Sequence, residues 1–173
     1  MVLQTSNKTE KSKSKNDVAD VELLGEERIC LIFGLGEEDF GLDVNVVREI
    51  VRVPPFITRV PNASHFIRGV INLRGTIVPV FDMGLKIGIS PTPMTEEARI
   101  IVIAINDISF GIIVNAVREV ITIYESQIEA VNQEYAEDRR YVLGVAKPED
   151  GRLIVLLDIY TLFELEQILA EEV

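Results

Sequence analysis

The sequence predicts a mainly β protein: two small five-stranded barrels built from an internal repeat, with a C-terminal helix and a few short helical turns. Three observations carry that expectation. A twelve-residue block occurs twice, the apolar runs are short and rich in Val and Ile, and sustained helical spacing of apolar residues is confined to the last segment.

Residues 40–51 read F-G-L-D-V-N-V-V-R-E-I-V and residues 110–121 read F-G-I-I-V-N-A-V-R-E-V-I, identical at seven of twelve positions. A second echo pairs G-T-I-V-P-V-F-D at 75–82 with G-R-L-I-V-L-L-D at 151–158, so the second copy carries six more residues between its blocks. Two copies of one unit is the economical reading.

Residues 1–26 open the chain with much Ser, Lys and Asn and few large apolar groups, too little to offset ordering entropy; they are expected to form a disordered tail. Residues 27–89 are expected to form the first barrel. Runs such as I-C-L-I-F-G-L from Ile29 are bounded by Gly, Pro, Asn or acids at the spacing of short strands. Residues 90–98, holding S-P-T-P-M-T-E-E, read as a linker. Residues 99–158 repeat the pattern as a second barrel, opening with R-I-I-V-I-A-I. Several runs are apolar on both faces, which predicts that the barrels pack against each other. Residues 159–173 place Ile159, Leu162, Phe163, Leu165, Ile168 and Leu169 at helical spacing, with Asp158 as N-cap. Its counterpart Asp82 is expected to cap a shorter turn through Met83–Lys86.

Composition narrows the function. The 47% hydrophobic content supplies a core for 173 residues. No apolar stretch is long enough to span a bilayer and no secretory signal opens the chain, so a cytoplasmic protein is expected. A formal charge of −11 repels phosphate backbones and anionic lipid, which argues against nucleic-acid and membrane partners. One cysteine, Cys30, and one histidine, His65, build neither a disulfide nor a Cys/His zinc site within one chain.

No cofactor, metal or catalytic site is expected. Ser64 and His65 are adjacent, and neighbours usually point their side chains apart. Gly34-Leu35-Gly36 lacks a third glycine, and Glu37, Glu38 and Asp39 would repel the phosphates such a loop holds. Glu134, Glu137 and Asp138, beside Arg139 and Arg140, read as a solvated loop rather than a metal site.

The turn of N-L-R-G-T carries Arg74, where Asn or Asp would suit a tight hairpin better. The second copy has Asp150 at that position. Two readings stand. Arg74 pairs internally with Glu49, worth about 0–1 kcal/mol if exposed, or its guanidinium serves an outside protein, since Arg beside a small apolar patch is typical of interface hot spots.

These blocks, with R-G-V-I-N-L-R-G-T-I-V-P-V-F-D at 68–82, resemble the CheW family of chemotaxis coupling proteins over residues 28–169. The resemblance implies two SH3-like barrels with a hydrophobic groove between them and no catalysis. It implies an adaptor joining the cytoplasmic tip of methyl-accepting chemotaxis receptors to the histidine kinase CheA, through the kinase's own CheW-like regulatory domain, with recruitment to membrane receptor arrays. An alternative within the same fold is a CheW-like module of a larger signalling protein. The receptor-binding residues it implies are Val47, Glu49 and Arg74, with Gly69 and Asn72 shaping the strand between. For the kinase it points to the second barrel, at Gly111, Val117 and Val120.

Overall fold

A computed structural model describes residues 24–131 and 140–164. The strands are β1 (Glu27–Leu35), β2 (Glu38–Asp43), β3 (Val47–Arg52), β4 (Ile67–Leu73), β5 (Thr76–Asp82), β6 (Arg99–Ile105), β7 (Ile108–Val114), β8 (Ala116–Tyr124), β9 (Ile128–Glu129), β10 (Val142–Ala146) and β11 (Ile154–Leu157). Single-turn helices α1 (Met83–Lys86) and α2 (Ile159–Leu162) follow β5 and β11.

The strands form a five-stranded sheet, β3-β6-β7-β5-β4, and a six-stranded sheet, β8-β1-β2-β11-β10-β9. The fold is all-β with two SH3-like halves, but the halves are not residues 27–89 and 99–158. The repeats trade their opening strands: β1 and β2 join β8–β11, while β6 and β7 join β3–β5. Each exchange is sealed by the same two contacts. The opening strand of one copy pairs antiparallel with the V-R-E strand of the other (β6 with β3, β1 with β8), and its second strand pairs parallel with the closing strand (β7 with β5, β2 with β11).

Strands apolar on both faces serve two cores. On β1, Leu31, Phe33 and Leu35 enter the core shared between the sheets, while Cys30 and Ile32 enter the interior of the six-stranded half. On β6, Ile101, Ile103 and Ile105 enter the shared core and Ile100 and Val102 the interior of the five-stranded half. Period-two alternation therefore feeds a different apolar compartment from each face.

Two glycines show how far the repeat extends. A Cβ on Gly69 would lie 2.1 Å from the Thr58 carbonyl oxygen, and one on Gly144 would lie 2.8 Å from that of Glu129. At both places another segment of the same chain runs against the strand, through the Thr58–Val70 bridge in one half and the β9–β10 pairing in the other. Only a residue without a side chain permits that approach.

Asp82 caps α1 as expected, accepting from the Leu85 amide. It does much more. It is fully buried and also accepts from Arg68 Nε and Nη2 at 3.0 and 2.7 Å, from the Thr92 amide at 3.0 Å and from the Thr92 hydroxyl at 2.9 Å. Segment 90–98 is therefore no free linker: Thr92 is pinned to Asp82, and Ala98 is buried.

Asp158 caps α2, accepting from the Tyr160 amide and the Thr161 hydroxyl. The helix expected to run on from there stops after one turn. Glu164 takes a left-handed conformation with φ 52°, the position its repeat counterpart fills with Gly88 at φ 77°. Phe163 anchors the stop, its ring centroid 5.0 Å from that of Phe81 and 4.7 Å from that of Phe110. Residues 165–173 and 1–23 lie outside the described residues, and with them the rest of the expected helix and nearly all of the expected tail.

Candidate protein-docking site

Glu49 owes its direction to a bulge. In the β3–β6 register Val47 faces Ile103 and Glu49 faces Val102, which leaves Arg48 without a partner. Glu49 thus shares a face with Val102, on the inner side of the five-stranded half, while Val47 is turned to the shared core. The side chain of Glu49 remains only 17% exposed at that edge.

Arg74 arrives from the β4–β5 hairpin. Leu73 and Thr76 pair across a two-residue turn in which Arg74 and Gly75 have φ 52° and 84°. Positive φ at both positions is the twist a tight hairpin wants. Asn72 secures the turn, its Oδ1 accepting from the Gly75 amide at 2.9 Å. The Arg74 guanidinium then donates to both Glu49 oxygens, Nη1 at 3.3 Å and Nη2 at 2.7 Å.

The internal pair is therefore formed, yet the Arg74 side chain stays 74% exposed. An exposed pair returns about 0–1 kcal/mol, while holding a non-glycine residue left-handed costs roughly 1–2 kcal/mol. The pair therefore does little more than offset the left-handed backbone at Arg74. The second copy forms a related pair at less strain. Glu119, the counterpart of Glu49, meets Arg152 Nη1 at 2.5 Å, and Arg152 Nη2 lies 2.7 Å from Asp150. Joining the V-R-E glutamate to the facing hairpin is thus common to both halves, but only the first half places the arginine in the turn itself. The sequence comparison missed this, because Arg152 stands two residues beyond the position aligned with Arg74.

Ile50, part of the apolar patch the sequence places beside Glu49, is joined by Ile77, which the sequence does not single out. Ile50 and Ile77 are 41% and 63% exposed, and Ile77 faces Asn72 across the hairpin. Glu49, Asn72 and Arg74 thus gather where β3 meets the hairpin, while Val47 is turned to the shared core and Gly69 acts through the backbone approach it permits.

The kinase candidates do not gather. Gly111 lies on β7, inside the five-stranded sheet rather than the other half, and a Cβ there would lie 2.7 Å from Ile100 Cγ2. It is buried and offers no surface to a partner; strand exchange placed it in the half opposite to the one expected from chain order. Val117 and Val120 do share β8, opposite Phe33 and Leu31 of β1. Val117 packs on the shared core, and Val120 is 54% exposed.

Among residues considered for chemistry, His65 is exposed and lies edge-on to Phe66 with centroids 5.3 Å apart. Among the described residues no group of three His, Cys, Asp or Glu is placed to hold a metal ion, and no helix is long and apolar enough to cross a membrane. Glu134, Glu137 and Asp138 lie outside the described residues. Burial pushes the Cys30 thiol up to about 11, with the Asp43 carboxylate adding to the effect.

The CheW-like domain family matches residues 30–167. The chain belongs to the CheW-like family. The crystal structure of the scaffolding protein TtCheW from Thermoanaerobacter tengcongensis superposes with a TM-score of 0.71 at 38% identity, over 80% of this chain and 94% of that one. Chemotaxis protein CheW of Thermotoga maritima is 35% identical over 78% of this chain and 86% of its own length. Its Bacillus subtilis namesake is 32% identical over 79% and 86%. This CheW-like chain is a chemotaxis adaptor of bacterial type.

Proposed function

We propose that this adaptor links the cytoplasmic tip of methyl-accepting chemotaxis receptors to the CheW-like regulatory domain of the kinase CheA, as a cytoplasmic protein drawn into receptor arrays and without catalysis of its own. In this reading the receptor meets Arg74, Glu49 and Asn72, with Val47, Ile50 and Ile77 as apolar flanks. Val117 and Val120 on β8 face the kinase. The observation that supports it is the seat of Arg74: a guanidinium on a left-handed backbone position of the hairpin, largely exposed even though it pairs with Glu49.

The alternative, a CheW-like module of a larger signalling protein, has less behind it. Helicobacter pylori CheV3 is 25% identical and is matched over 50% of its length.

Co-sedimentation with receptor-bearing vesicles tests the reading. Arg74→Glu is expected to abolish receptor binding, a loss of about 2–5 kcal/mol if the guanidinium is buried in the complex. Binding to CheA and the melting temperature should stay unchanged. Wild-type co-sedimentation by the variant would refute the assignment.

A further inference from the structure

Beyond the hairpin surface, the five-stranded half carries an unusual concentration of arginine. After β3 the chain runs Val53-Pro54-Pro55-Phe56-Ile57 before Thr58 bridges to Val70. Facing it is the stretch from Met94 that enters β6 at Arg99. Two adjoining clefts of about 360 and 530 Å³ lie between these segments and share Val53 and Thr95. Val53 and Ile57 are anchored on the inner core of this half, so that wall is fixed.

Arg52, Arg59, Arg68 and Arg99 line the clefts. Arg68 is committed to Asp82 and to the Thr92 carbonyl. Arg99 donates to the carbonyls of Glu96 and Ala98 and meets no carboxylate among the described residues. Arg52 and Arg59 are exposed and make no side-chain hydrogen bond or ion pair among the described residues. Glu96 and Glu97 occupy one rim, so the balance here is slightly positive in a chain of net charge −11. An anionic segment is therefore favoured here and repelled by the surface at large.

The apolar share of the surface is as distinctive. Met94, which lines the smaller cleft, is 49% exposed, and Phe56, between the lining residues Pro55 and Ile57 but lining neither cleft itself, stands 89% exposed at the groove's edge. Prolines have no amide hydrogen, so this wall offers little to an added β-strand, and recognition falls to side chains.

We infer that this groove docks an extended acidic peptide segment of a partner protein, with carboxylates on Arg52, Arg59 and Arg99 and apolar side chains against Phe56 and Met94. Guanidinium groups suit this task because they bind carboxylates with directed, charge-assisted hydrogen bonds. The site is separate from the Arg74 hairpin and does not depend on the receptor reading.

Fluorescence anisotropy on the full chain tests it, with a labelled dodecapeptide of Glu interspersed with Leu and Phe as the probe. The peptide should bind, and more weakly as salt rises. Combined Arg52→Ala and Arg59→Ala should weaken binding about tenfold or more, with Phe56→Ser weakening it too and the melting temperature retained. A peptide with Gln for every Glu should bind at least about tenfold less tightly. Equal binding of the Gln peptide, equal binding by the double variant, or no binding at low salt would each overturn the inference. So would concentration-dependent dimerisation in sedimentation equilibrium that Phe56→Ser removes, since the occupant would then be a second copy of this chain.

Discussion

Replacing Asp82 by Ala should cost far more than the same change at Asp158, although the two residues are repeat counterparts with one shared task. At Asp82 the truncation strips α1 of its N-cap, worth about 1 kcal/mol. It also leaves the buried Thr92 amide and hydroxyl without an acceptor, at about 1–3 kcal/mol for each group. Arg68 loses its partner too, but its side chain is 30% exposed and can rehydrate, so it adds less. Together these give roughly 3–7 kcal/mol, or about 10–20 °C in melting temperature for a chain of this size. Asp158 caps only α2, at a half-buried position, so Asp158→Ala should cost about 1 kcal/mol. Urea unfolding followed by circular dichroism measures both, and amide exchange at Thr92 should accelerate in Asp82→Ala alone. Equal losses for the two variants, or a loss below about 1.5 kcal/mol at Asp82, would refute the view that this carboxylate ties segment 90–98 to the fold.

Gly69→Ala and Gly144→Ala should each destabilise by about 3 kcal/mol or more, since the new methyl meets backbone oxygen in both halves; thermal melts of the two variants check it. Glu164→Gly should raise stability by about 1 kcal/mol, read as a shift of the urea midpoint, because the left-handed position then carries no side chain. Cys30 has its thiol pKa raised in the folded state, from an ordinary value near 9 to about 11. The folded form therefore holds its proton longer than the unfolded form, and this contribution to stability is intact below pH 9 and lost as pH rises toward 11. Urea midpoints from pH 8 to 11 should decline more steeply in wild type than in Cys30→Ala, and identical slopes would contradict the burial argument.

Strand positions were readable because they depend on local alternation. Ile29–Leu35 and Arg99–Ile105 are apolar at successive positions, and both became strands between two cores. Which copy each strand would join was not readable. Exchanged and unexchanged pairings bury the same side chains on the same faces, since each copy carries equivalent residues, so periodicity cannot separate them. Placing Gly111 at a second-half surface was a direct casualty of that ambiguity. The stop after Leu162 is not legible, because apolar spacing says nothing about the left-handed backbone at Glu164. In the candidate site, Glu49 and Arg74 were legible as a possible pair, whereas the bulge at Arg48 that turns Glu49 inward leaves no mark in composition.

Because each half borrows its first two strands from the other repeat, a cut between Lys86 and Arg99 would not release two independent domains. Each fragment would carry pieces of both barrels and complete neither. A load applied at the hairpin would reach β8 through interlocked strands rather than across a flexible joint.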